Sequence, residues 1–374
     1  MSKFSQQIWF WQTMLTPHMG ALADSLAKYG HRVVFVANES MSKERLAQGW
    51  KIIKPSKVTI KFAKNKKTAI RFAKEAPSNS IHLCQGLVGN DQIGDAQRIL
   101  RKRGLRHLIM IEKIDDKGWK GIVRRILYNI LFSYWQKYLE GVLAIGYGTK
   151  DWIVKRGMKK NRVYSFAYFL NKPKFNEKKT QFKEKNKNYP YRFIYVGRLI
   201  ELKKVDLLIN AIASLKLKKI ELLIVGDGPE KERLCSLANL LLPEQVYWLG
   251  TLPMSKISKM IRQVDCLVLP SRHDGWGAVS SEALIAGTPV ICSNACGSSV
   301  VVKASSVGGV FLSNSQKSLS RKLYKQYKVG KILNKKRQKI AKWAKCLNAY
   351  SGAKYLDLIL NSTGKNLIKE PWKN

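Results

Sequence analysis

The stretch Leu269-Pro270-Ser271-Arg272-His273-Asp274-Gly275-Trp276-Gly277-Ala278-Val279-Ser280-Ser281-Glu282-Ala283-Leu284-Ile285-Ala286-Gly287-Thr288-Pro289-Val290-Ile291 reads as a strand end, a glycine-rich loop, a helix, a Gly-Thr-Pro stop and a new strand. Strand, helix, strand is the βαβ unit, whose two strands run in parallel. Along the helix Ala278, Val279, Glu282, Ala283 and Ala286 share one stripe, so Glu282 is a carboxylate on a small apolar face. That placement is costly unless the carboxylate meets partners, and ligand hydroxyls are one kind. The loop brings the free amides of the helix N-terminus to the strand end, a setting suited to an anionic phosphate. Asp274 stands on this loop, where it could also simply cap the helix or the turn.

Two upstream clusters repeat the theme. Tyr195-Val196-Gly197-Arg198-Leu199 is a strand ending in Gly and Arg, with Lys203 five residues beyond Arg198. Two cations at a strand end suit a diphosphate, since Arg binds its oxygens bidentately and Lys serves as a mobile point charge; a surface pair would read the same way. Leu223-Ile224-Val225-Gly226-Asp227-Gly228-Pro229 is a buried strand running into a tight turn, either structural or built for close approach to a ligand.

Working outward, strands are expected at Arg192 to Val196, Glu221 to Val225, Val246 to Leu249, Cys266 to Leu269 and Val290 to Cys292. The first half alternates in the same manner: Ile8 to Trp11, a helix from Pro17 to Tyr29 stopped at Gly30, then Arg32 to Ala37, Val58 to Phe62, Ile81 to Cys84, Leu108 to Ile111 and Val142 to Ile145. Between the halves, residues 171–191 are rich in Lys, Asn, Gln and Glu with Pro173 and Pro190, which reads as a linker. The expectation is two Rossmann-like α/β domains, 1–170 and 192–345, with 346–374 returning toward the first, and a ligand site in a cleft where the carboxyl ends of both sheets meet.

The chain has 374 residues and a formal charge of +43, from 68 Lys plus Arg against 25 Asp plus Glu. With 45% hydrophobic residues spread through the sequence, disorder and a histone-like basic tail are excluded, and the charge decorates globular domains. Fifty of the basic residues are Lys, so a compositional bias is one reading and attraction to polyanions is another. The six cysteines lack paired metal-ligand spacing and read as reduced core thiols. With no secretory signal and no apolar run of membrane-spanning length, a cytoplasmic protein is expected.

The three clusters together resemble the nucleotide-sugar-binding domain of glycosyltransferase family 4, retaining enzymes of the GT-B fold. The resemblance is close in order and spacing from Arg192 to Ile291. Earlier it is looser, resting on Thr16-Pro17-His18-Met19-Gly20, Gly30-His31-Arg32-Val33-Val34 and Leu143-Ala144-Ile145-Gly146. It implies that Arg198 and Lys203 hold the donor diphosphate and stabilise it as it departs, and that Glu282 is the second acid of an E-x7-E pattern, binding the donor ribose. It also implies that the loop Gly275, Trp276, Gly277 and Ala278 offers backbone amides, with Gly197 and Gly20 among the donor-binding positions. Asp274 falls on the first acid, where the family usually has Glu, and is one methylene shorter. Lys204 replaces the Gly that usually follows the lysine, and Met19-Gly20 stands where many members have Gly-Gly.

The implied reaction is glycosyl transfer with retention, from a nucleotide-sugar, a UDP-sugar by family expectation, to a saccharide or lipid-linked acceptor in capsule, O-antigen or exopolysaccharide synthesis. The two cations stand in for a divalent ion, so no metal or cofactor is expected. His18, His82 and Glu112 are candidates on the acceptor side; for each histidine a structural role is the competing reading. A GT-B epimerase or phosphorylase is the nearest alternative. A nucleic-acid-binding protein rests on charge alone, with no recognition motif, and is set aside. The basic excess gathers in Lys54 to Lys74, Arg98 to Arg106 and around Arg124, within the acceptor domain, which raises an anionic membrane surface as the partner. The segment Trp119 to Tyr138, apolar at helical spacing with Lys120, Arg124 and Arg125 beside it, is either an interfacial helix or one packed on the first sheet.

Overall fold

The computed structural model describes residues 5–52, 54–116, 118–171, 190–362 and 368–373. The chain divides into two compact units: Met1–Leu46 with Lys51–Asn171 and Leu347–Asn374, and Ala47–Trp50 with Lys172–Cys346. The linker reading of residues 171–191 falls, except for its ends, outside the described residues.

In the first unit the strands are β1 (Gln7–Met14), β2 (Arg32–Glu39), β3 (Thr59–Phe62), β4 (Ile81–Gln85), β5 (Arg106–Glu112), β6 (Gly141–Ile145) and β7 (Val163–Phe166). They form one sheet in the order β3-β2-β1-β4-β5-β6-β7, parallel throughout. Its central strands are continuous apolar runs: Ile8 to Trp11, Val33 to Ala37 and Val142 to Ile145 are all buried, as a parallel sheet covered on both faces requires. The helix Pro17–Lys28 follows β1, with proline in its first turn where a missing amide costs nothing. The C-terminal helix Ala349–Leu360 packs into this unit. His31 Nε2 lies 3.0 Å from Asp357 Oδ1, the Tyr355 hydroxyl donates to the Ser165 carbonyl at 2.9 Å, and Arg106 Nη2 donates to the Leu360 carbonyl at 2.7 Å.

The second unit carries β8 (Tyr191–Val196), β9 (Ile220–Val225), β10 (Val246–Trp248), β11 (Cys266–Leu269), β12 (Val290–Ser293) and β13 (Gly308–Phe311), again all parallel, in the order β10-β9-β8-β11-β12-β13. In both sheets the chain winds outward from the first strand on one side, then returns to that strand's other side. The topological switch points are therefore β1/β4 and β8/β11, where loops leave in opposite directions and open a crevice at the carboxyl edge.

Two strands escaped the sequence reading, β7 and β13, both at sheet edges. Each has four residues, and β13 opens with Gly308-Gly309, so neither carries the apolar run that marks a central strand. The basic stretch Lys317 to Lys345 forms two helices, Gln316–Lys328 and Asn334–Trp343, separated at Gly330. Arg337 in the second is buried and donates to the carbonyls of Ile332 and Val264 and to Thr288 Oγ1, so one member of that run is a core cross-link. All six cysteines are free, and four are buried among apolar neighbours that raise their thiol pKa values.

Candidate active site

The β8/β11 switch point gathers most of the chemistry. After β8 the chain turns at Gly197, exposes Arg198, and forms a short 3-10 turn, Glu201–Lys203. The Tyr195 side chain is buried and its hydroxyl donates to the Arg198 carbonyl at 2.8 Å, which anchors the turn from below. A Cβ on Gly226, at the end of β9, would sit 1.9 Å from the Gly197 carbonyl oxygen. The first turn of the Leu223 to Pro229 cluster is thus glycine because two backbones pass in contact there.

Lys203 and Asp274 come together. Lys203 Nζ lies 2.5 Å from Asp274 Oδ2, with both side chains about four-fifths buried at 20% and 18% exposure. Seventy-one residues separate them in sequence. Adjacency of β8 and β11 unites their loops, and the Arg272 amide donating to the Leu202 carbonyl at 2.9 Å ties the two directly. The Asp274 loop is held from its other side by β12: the Asp274 amide bonds to the Ala295 carbonyl, and the Gly297 amide bonds to the Asp274 carbonyl at 2.9 Å.

Gly275 leads into Trp276. The Trp276 side chain is buried and its Nε1 donates to Ser281 Oγ at 3.1 Å, so it pins the loop to the following helix and leaves only its backbone to face a ligand. Gly277 has φ +78°, a left-handed geometry that a side chain resists, and the helix Ala278–Ile285 then starts with no side-chain cap on its first turn. One turn into that helix stands Glu282. Burial raises its carboxyl pKa to about 7, and no side-chain partner for it occurs among the described residues. It is a half-buried acid that a hydroxyl-bearing ligand would satisfy.

Lys204, in the position where resemblance leads one to expect Gly, has φ +52° and ψ +45°. The backbone keeps the left-handed turn, and a lysine occupies it with strain of about 1 kcal/mol.

In the first unit, His18 and Glu112 meet at the carboxyl edge through a residue the sequence reading missed. The His18 ring packs against Tyr168 at a tilt of 32° with centroids 4.0 Å apart, and the Tyr168 hydroxyl donates to Glu112 Oε1 at 2.5 Å. Thr16 Oγ1 lies 3.2 Å from His18 Nε2, and burial, aided by Arg45, pushes the imidazole pKa down to about 3, so His18 is neutral at physiological pH. Tyr168 follows the overlooked edge strand β7, which is why no signal flagged it.

His82 is corrected. It is the second residue of β4, in register with Trp9 and His107, and so near the sheet's amino edge. Its side chain is fully buried; Nδ1 accepts from Trp11 Nε1 at 3.0 Å and Nε2 lies 2.9 Å from Ser80 Oγ. Burial pushes its pKa to about 3. It is a satisfied core histidine. Gly20 lies inside the helix Pro17–Lys28, buried, and its amide donates to the Thr16 carbonyl at 2.9 Å. Among the described residues no group of three His, Cys, Asp or Glu side chains could hold a metal ion.

Two parallel α/β units with a paired lysine and carboxylate at the second sheet's switch point define a class. Residues 176–345 match the family described as glycosyl transferases group 1. Among curated relatives, an uncharacterized 41.2 kDa protein in the cps region of Klebsiella pneumoniae is 26% identical over 48% of this chain and 49% of its own length. The O-antigen biosynthesis glycosyltransferase WclY of Escherichia coli is 28% identical over 46% of this chain and 49% of its own. The chain thus spans about half the length of these relatives. Two solved structures match nearly throughout. Anabaena HepE in complex with UDP has a TM-score of 0.72 at 12% identity, covering 96% of this chain and 99% of its own. The lipopolysaccharide outer core galactosyltransferase WaaB has a TM-score of 0.67 at 17% identity, covering 95% and 99%. The fold is GT-B.

Proposed function

We propose that this protein is a retaining glycosyltransferase that moves a sugar from a nucleotide-sugar, a UDP-sugar by preference, to a saccharide or lipid-linked acceptor in bacterial surface-polysaccharide synthesis. The observation that carries the reading is the Lys203–Asp274 pair beside Arg198 at the β8/β11 switch point of a group 1 domain. The relatives from a cps region and from O-antigen synthesis, and a structural neighbour bound to UDP, support the pathway class and the donor.

In this reading Arg198 and Lys203 meet the donor diphosphate. As the sugar–oxygen bond breaks, negative charge grows on the leaving phosphate and oxocarbenium character on the sugar, and preorganised cations lower the barrier because they need no reorganisation at that moment. Asp274 holds the Lys203 ammonium in position and has a second oxygen to offer a sugar hydroxyl. Glu282 accepts the ribose hydroxyls, while the backbone of Gly275 to Ala278 and Gly197 line the phosphate and sugar. No metal is required for charge neutralisation when two cations supply it. His18 and Glu112, joined through Tyr168, face the acceptor side as hydrogen-bonding groups. The enzyme works in the cytoplasm, peripherally on an anionic membrane.

The test is product analysis with a UDP-sugar panel, with and without acceptor, in the presence of a chelator. Transfer dependent on acceptor, with the anomeric configuration of the donor preserved by NMR, supports the reading. Conversion of the sugar nucleotide without acceptor would replace it with the epimerase alternative; inversion would remove the retaining mechanism; and loss of activity with chelator would remove metal independence.

A further inference from the structure

The helix Gly118–Trp135 is apolar on two opposite sides. Gly121, Tyr128, Phe132 and Trp135 turn inward and are buried; the Tyr128 and Phe132 rings meet Trp152 at 5.2 Å and 6.2 Å between centroids. That side seats the helix on the first unit. On the other side Trp119, Ile122, Val123, Ile126, Leu127 and Ile130 are exposed by 71, 50, 58, 56, 41 and 63%. At 100° per residue these positions form one stripe about 140° wide. A single exposed isoleucine needs no explanation, but a contiguous row of six large apolar side chains does.

The border of the stripe indicates what covers it. From Gly118 to Tyr138 there are four basic residues, Lys120, Arg124, Arg125 and Lys137, and no acidic one. At the start of the helix Lys120 Nζ lies 5.5 Å from the centre of the Trp119 ring. At its end the Arg101 guanidinium lies over Tyr134, Trp135 and Tyr138 at 5.2, 5.6 and 5.1 Å, and both tyrosines are exposed. An apolar stripe that includes Trp119, with cations on its flanks, suits an anionic bilayer surface, where the stripe enters the acyl boundary and the cations stay among the headgroups. Among the described residues no helix is long and apolar enough to cross a membrane, and a stripe running along the length of a helix suits an orientation in the interface plane.

We propose that the exposed face of the helix Gly118–Trp135 is a membrane-docking surface that seats this protein on an anionic lipid bilayer. The inference deepens the reading above, on which it rests for the lipid-linked acceptor. Glu112 ends β5 and only residues 113–117 separate it from the helix, so a bilayer under Trp119 lies one short loop from the carboxyl edge that carries His18, Tyr168 and Glu112.

Flotation of the full chain with vesicles of phosphatidylglycerol and phosphatidylcholine in equal parts tests it. The parent binds, binding weakens steeply with salt, and pure phosphatidylcholine vesicles bind far less. Ile126→Glu with Ile130→Glu, both at exposed positions, lowers binding by at least about tenfold, and Lys120→Glu with Arg124→Glu lowers both the affinity and its salt dependence. UDP-glucose binding and transfer to a water-soluble acceptor stay at the parent level in all these variants; if instead the parent also lacks transfer, the functional reading fails while the docking result stands by itself. Parent-like flotation of the Ile126→Glu/Ile130→Glu variant overturns the proposal, as does equal binding to both vesicle types. A parent that ignores lipid but is a dimer, which this variant splits, also overturns it and assigns the face to a second copy.

Discussion

The two sheets share a winding and a switch point, yet their carboxyl edges are chemically unlike. At β8/β11 the edge is ionic: Arg198 is exposed, Lys203 and Asp274 are paired, and Glu282 is poised near neutrality. At the edge of the first sheet the cluster is aromatic and hydrogen-bonded, with a neutral His18 packed against Tyr168 and Tyr168 bonded to Glu112. A shared winding therefore places loops but does not choose their chemistry. An ionic edge suits a diphosphate that becomes more negative in the transition state. An aromatic, hydrogen-bonding edge suits a sugar acceptor, whose faces are apolar and whose hydroxyls are uncharged.

Breaking the ionic edge has the largest expected effect. Lys203→Ala lowers turnover by about 10² to 10³ with the circular dichroism spectrum unchanged, since it removes one preorganised donor to the leaving phosphate; steady-state kinetics at saturating donor checks it, and near-normal turnover would sink the contrast between the edges.

Glu282 sharpens the same comparison through pH. Its pKa is raised to about 7 in the protein, and ribose hydroxyls donate to the ionised form. Affinity for UDP-glucose, which does not itself titrate in this range, therefore rises about tenfold from about pH 6 to about pH 8. Calorimetry across that window should find the slope in the parent and a flat profile in Glu282→Gln; the opposite sign would mean that the protonated acid is the binding form.

On the aromatic edge the expected change is smaller and falls on a different constant. Tyr168→Phe removes the hydroxyl that holds Glu112 and raises the acceptor KM by about fivefold, while donor affinity stays constant. A change in donor affinity alone would assign Tyr168 to the wrong substrate. The smallest effect is structural: Lys204→Gly relieves a left-handed lysine and raises stability by about 0.5 to 1 kcal/mol, read as a higher midpoint in chemical denaturation. A loss of stability would show that the Lys204 side chain has its own packing role.

Most of the second unit was legible because its site is written in short contiguous segments. Gly197 to Lys203 and Asp274 to Glu282 each leave one strand and enter one helix, so strand pattern, turn residues and charge lie within a dozen residues of each other. The first unit resisted for the opposite reason. Its edge cluster joins residues 18, 112 and 168, drawn from the ends of β1, β5 and β7, and β7 is too short to announce itself. His82 shows the complementary error: a histidine beside a strand looks the same in sequence at either end, and only the register with Trp9 and His107 places it near the amino edge, buried under Trp11.

Alternation of apolar runs and amphipathic segments by itself determined the two α/β halves, because a parallel sheet needs buried strands and a covering helix between each pair. The glycine turns and the charges beside them placed a group of ionisable side chains at one sheet edge for the same local reason. Tertiary structure decided whatever depends on distance in the chain: that Asp274 reaches Lys203, that Tyr168 bridges His18 and Glu112, and which side of the helix Gly118–Trp135 is buried. Ile126 and Phe132 are equally apolar in sequence. Packing against Trp152 hides one and leaves the other facing outward.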